Sequence, residues 1–110
     1  MKTLYTQKAV KNMGYTIISV GYCDLQRLLR YEDAFGYSKG IYGWNCDYYT
    51  VNNQNVIICT GYRPIKGINV DSSICKKYEA LAHDIINEFE YSIAKERLNN
   101  LITEFVKEVV

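Results

Sequence analysis

From Ser72 onward, apolar positions recur at three- and four-residue spacing, the mark of one face of a helix. Ile74, Tyr78, Leu81, Ile85 and Phe89 make a first stripe; Ala94, Leu98, Leu101, Ile102, Phe105 and Val109 make a second. At ~100° per residue, an unbroken helix would set the second stripe roughly 180–200° around from the first. One core cannot bury both, and a straight helix over this stretch would be about 58 Å long, too long for so small a domain. The pattern predicts two helices over 72–110, parted near Glu90-Tyr91-Ser92 with Ser92 as a new N-cap. A long helix that lends its second half to another subunit is the alternative, so both monomer and homodimer stay open.

Upstream, the period shortens. Residues 15–20 are β-branched, end at Gly21 and predict a strand. Asp24 can cap a short helix over 25–30, with Leu25, Leu28 and Leu29 on one face. Residues 31–43, with Gly36, Gly40 and Gly43, read as a loop. Residues 44–51 and 55–62 predict a β-hairpin about Asn52-Asn53, because Asn tolerates the positive φ of tight hairpin turns. That turn sets Cys46 opposite Cys59; a one-residue shift would set Tyr48 there instead. Residues 1–13 are a mobile arm or a short helix. The expected fold is a single α+β domain: a small antiparallel sheet of about three strands, a short helix after the first strand, and two C-terminal helices.

Composition narrows the function class. The chain has 110 residues, 48% hydrophobic and 23% charged, which suits one globular domain. No apolar run approaches the ~18–20 residues of a membrane span, and the N-terminus lacks the apolar core of a secretory signal. The expectation is a cytoplasmic protein with no membrane partner. A net charge of +1 excludes both a strongly basic nucleic-acid clamp and a strongly acidic mimic of DNA. Charge is split mildly, +4 over residues 1–70 and −3 over residues 71–110.

Four cysteines, Cys23, Cys46, Cys59 and Cys75, have no CxxC spacing. As free thiols they would be small buried hydrophobes. Zinc held by all four is the alternative, with Cys46 and Cys59 as a cross-strand half-site. A structural disulfide ranks below zinc, because a cytoplasmic chain keeps its thiols reduced. Cys23 precedes a helix start, where the dipole lowers a thiol pKa, but its only possible histidine partner, His83, lies opposite the apolar stripe. Glu32-Asp33 and Asp47 form no catalytic pair by spacing, and Gly36, Gly40 and Gly43 lack a phosphate-loop pattern. The expectation is a non-enzymatic protein without a cofactor.

Tyrosine is the outlier, with 11 Tyr beside 3 Phe and 1 Trp. Residues 31–62 hold six of the Tyr together with Phe35 and Trp44. Tyr31, Phe35, Tyr37, Tyr42, Trp44, Tyr48, Tyr49 and Arg63 are the candidate partner-binding residues, since aromatic and Arg anchors carry most interface energy. The same rings with Arg30, Lys39, Arg63 and Lys66 would also suit single-stranded nucleic acid. A ring in a small sheet can equally belong to the core.

Three segments carry a family resemblance: Gly21-Tyr22-Cys23-Asp24-Leu25-Gln26, Tyr42-Gly43-Trp44-Asn45 and Thr60-Gly61-Tyr62-Arg63-Pro64. Together they resemble a group of small uncharacterised proteins of Firmicutes and their phages or mobile elements. The resemblance implies a protein that binds and inhibits a host factor, in the manner of an anti-CRISPR acting on a CRISPR effector nuclease. The near-neutral charge favours inhibition by surface contact over DNA mimicry.

Overall fold

The computed structural model describes residues 4–21, 24–29, 40–41, 44–61 and 65–110. In chain order these form β1 (Leu4–Tyr5), α1 (Gln7–Asn12), β2 (Thr16–Ser19), α2 (Leu25–Leu28), β3 (Gly40–Ile41), β4 (Asn45–Val51), β5 (Gln54–Thr60), β6 (Ile68–Asn69), α3 (Ser72–Ile86) and α4 (Tyr91–Val109). The fold is α+β, with a short helix after the first long strand and two C-terminal helices.

The hairpin forms as its turn dictates. Asn52 and Asn53 have φ of 52° and 63°, the positive values that both central residues of a type I′ turn need. The resulting antiparallel register sets Cys46 against Cys59 and Tyr48 against Ile57.

The sheet differs from the expected antiparallel one of about three strands. It has four strands in the order β4-β5-β2-β6 and is mixed. The chain leaves β2 through α2 before it reaches β4, so β2 joins the hairpin from outside and runs parallel to β5, with Ile17 beside Ile57. The two-residue β6 pairs parallel on its other side. Strands β2 and β5 are therefore central and buried on both faces, which their apolar runs reflect. Val56, Ile57, Ile58 and Cys59 are all fully buried. A second, two-stranded parallel sheet joins β1 to β3.

Alternation along the strands feeds two cores. Ile18, Val56, Ile58 and Val51 face α2, α3 and α4, where they meet Leu25, Tyr78, Ile85, Leu98 and Phe105. Ile17, Ile57, Cys46 and Cys59 face the other way and pack with Val10 of α1, Ile41, Trp44 and Ile65. The N-terminal stretch is thus anchored where it forms α1. Thr6 caps that helix by accepting from the Ala9 N–H at 3.1 Å.

At α2, Asp24 occupies the N-cap position but its side chain makes no capping bond. Its backbone N–H instead donates to Glu79 Oε2 of α3 at 3.1 Å. The buried Gln26 donates its side-chain amide to Asp47 of β4.

The two C-terminal stripes do part. Helix α3 ends at Ile86, and α4 begins at Tyr91 with Glu90 as its N-cap, two residues before the expected Ser92. The second stripe is buried from Ala94 to Phe105, with Val109 half-buried. The first needs correction. The buried face of α3 is Cys75, Tyr78, Ala82 and Ile85, so Leu81 sits at its margin and is 40% exposed. Phe89 lies past the end of α3 and is 99% exposed.

Candidate interaction surface

Of the eight aromatic and arginine positions singled out for partner contact, Tyr31, Phe35, Tyr37, Tyr42 and Arg63 lie outside the described residues. Trp44 does not serve as an exposed anchor. It is 7% exposed and sits in the second core, with its indole over Gly61. Tyr48 and Tyr49 are adjacent on β4 and so point to opposite faces of the sheet. Tyr48 meets Tyr15 edge-on, with ring centroids 4.8 Å apart, whereas Tyr49 packs against the helical core. The hydroxyl oxygens of both are buried. These three rings therefore build two cores and do not form one contact face.

The three described cysteines are also arranged otherwise than a shared zinc site requires. Cys46 and Cys59 are joined by a disulfide across the hairpin, with Cα atoms 4.1 Å apart. Strand alternation turns both toward the second core, and the register makes them direct neighbours. Cys75 is a buried thiol outside that disulfide, on the opposite side of the sheet, where its Sγ lies 3.5 Å from the Val20 carbonyl oxygen. The three therefore do not converge, and Cys23 lies outside the described residues. Among the described residues, no group of three or more His, Cys, Asp or Glu side chains is placed to hold a metal. His83 is exposed on α3. Of the cations considered for nucleic acid, Arg30 and Lys39 also lie outside the described residues, and Lys66 is exposed.

The surface feature that sequence periodicity misses lies on the α3–α4 hairpin. Six large hydrophobic residues are exposed among those described, and four of them fall within residues 81–93. Phe89 and Tyr91 stand at the turn, Ile93 begins the exposed side of α4, and Leu81 lies on α3. Between the two helices runs a shallow groove of about 280 Å³, with Leu81, Ile85 and Leu101 as apolar lining and Asp84, Arg97, Asn100 and Glu104 as its polar lining. Arg97 also reaches Glu88 at 3.5 Å. The signal available in the sequence is the position of Phe89: it continues the spacing of Ile85, but beyond the helix that would have carried it inward.

The far end of the hairpin is held by a polar clasp. Tyr78 is buried, with its hydroxyl toward the Glu108 carboxylate, and Lys77 Nζ lies 3.3 Å from Glu108 Oε1. Burial first, and Glu108 second, push the Tyr78 hydroxyl up to about 12. The Tyr78 hydroxyl and then Lys77 hold Glu108 below its ordinary value.

Among the described residues no helix is long and apolar enough to cross a membrane. No protein-family model, curated protein or solved structure matches this chain.

Proposed function

We propose that this chain is a non-enzymatic binding domain that works by protein–protein contact. The observation that carries the reading is the apolar tip of the α3–α4 hairpin. Phe89, 99% exposed, buries almost nothing against its own chain, and Tyr91 and Ile93, close to it in sequence, are each nearly half exposed. Clustered exposed aromatic and aliphatic side chains mark interaction sites, and a buried aromatic anchor is the usual source of interface energy. The choice of target, a host defence nuclease of the CRISPR effector class, follows from the resemblance to mobile-element proteins. Such a partner would be occluded or locked by surface contact, since the chain carries a net charge of only +1.

The test is affinity capture from a Firmicute lysate that contains CRISPR effectors, with RNase and high-salt controls, using the wild-type chain and Phe89→Ser. The expected result is one large nuclease retained through both controls and lost with Phe89→Ser, while the melting temperature stays unchanged. Capture that disappears with RNase or salt would replace this reading with single-stranded nucleic-acid binding. Capture untouched by Phe89→Ser but abolished by Tyr37→Ala or Tyr42→Ala would move the contact to the aromatic segment.

A further inference from the structure

We propose that the groove between α3 and α4 is a self-association surface that takes a second copy of this chain in a two-fold, antiparallel arrangement. The charges in the groove are self-complementary. Arg97 and Glu104 both line it on α4, with Asn100 and Leu101 between them. They are two helical turns apart, about 10.5 Å along the axis. A two-fold axis set between Asn100 and Leu101 lays α4 of one copy antiparallel to α4 of the other. Arg97 of each copy, which also reaches Glu88 of its own chain at 3.5 Å, then lies over Glu104 of the other, so the guanidinium bridges the two carboxylates, and symmetry makes the contact twice. Asp84, which lines the same groove from α3, adds to the acidic wall that faces the incoming guanidinium. A basic partner helix would repel Arg97 and an acidic one would repel Asp84 and Glu104, whereas a second copy satisfies both signs.

The apolar residues fit the same occupant. Leu81 is 40% exposed at the groove, and Ile85 and Leu101, each 5% exposed, present their remaining surface there. Pairing covers these residues and leaves Phe89 and Tyr91, at the hairpin turns, at the two outer ends of the assembly. The dimer would thus display two apolar tips, whatever binds them.

Reciprocal charge reversal tests the pairing. Self-association of the wild type, Arg97→Glu and Glu104→Arg is measured by sedimentation equilibrium over roughly 10–500 µM chain, the range suited to a rim-charge interface. Thermal melts establish that each variant is folded. Wild type is expected to populate two-chain particles. Each reversal alone places like charges in contact across the axis and weakens association by about tenfold or more. An equimolar mixture of the two variants is expected to associate again. The acid introduced at position 97 of one variant meets the base introduced at position 104 of the other, and the native Arg97 and Glu104 that remain meet each other. A wild type that stays single throughout, a reversal that leaves association unchanged, or a mixture that fails to associate would each overturn the proposal.

Discussion

The indole of Trp44 lies so close over Gly61 that a Cβ at position 61 would fall 2.7 Å from its nearest ring atom. Two further ring atoms would lie at 2.8 and 3.0 Å, so the whole ring edge stands in the way. The ring cannot swing aside cheaply, because it is packed among Ile41, Cys46 and Cys59. Gly61→Ala is expected to cost about 1–3 kcal/mol in denaturant unfolding, as overpacking does. Trp44 is the single Trp of the chain, so its emission should shift to the red in the same variant if the ring is pushed toward solvent.

The hairpin turn gives a prediction of a different kind, through the backbone. Asn52 and Asn53 are the only residues other than glycine with positive φ among those described. Asn tolerates this region better than Ala because its side chain is short and bonds locally. Asn52→Ala and Asn53→Ala are each expected to lower stability by about 1 kcal/mol. Asn53→Gly should hold or raise the urea midpoint, and an unchanged midpoint in both alanine variants would mean that the turn does not set the register.

The disulfide and the buried Cys75 thiol should separate chemically. Peptide mapping of the oxidised chain is expected to link Cys46 to Cys59, and alkylation of the folded chain should leave the buried Cys75 unmodified until it unfolds. Reduction, or a Cys46→Ala Cys59→Ala pair, should lower stability by about 2–3 kcal/mol, the scale for a loop of this length. A link from Cys59 to any other cysteine would contradict the observed register.

The Tyr78–Glu108 contact predicts opposite pH limbs. The unfolded chain loses the Tyr78 proton near pH 10.0, whereas the folded chain holds it to about 12. Its contribution is therefore complete below pH 10 and is lost as pH rises through that window. Glu108 is depressed when folded, so its contribution is present above the ordinary carboxylate range and is lost as pH falls through the lowered value. Urea midpoints measured against pH should flatten on the alkaline limb in Tyr78→Phe, and on the acid limb in both Tyr78→Phe and Glu108→Gln.

Much of this architecture is legible in the residues themselves. The Asn52-Asn53 pair encodes the hairpin locally, and the phase jump between Ile85 and Ala94 encodes two helices. The parallel neighbours of β2 are not legible, because β6 is only two residues long and long-range pairing leaves no local spacing to read. Composition misplaces Trp44 for a related reason: it cannot tell a ring that packs over a glycine at the far end of the hairpin from one that faces a partner. Periodicity misassigns Phe89 because it carries on past a helix end that only the turn reveals.

The Cys46–Cys59 bond spans 13 residues that lie wholly within one hairpin, and this bears on how the chain behaves under load. A chain pulled by its termini can draw out α3, α4 and the parallel strands, but the covalent link carries the tension past the hairpin turn. At full extension the oxidised chain should be shorter than the reduced one by roughly 40 Å, given about 3.3–3.6 Å for each shielded residue less the 4.1 Å that the cysteine Cα atoms still span. The hairpin would remain a closed ring after everything around it has yielded, ready to template the return of β2.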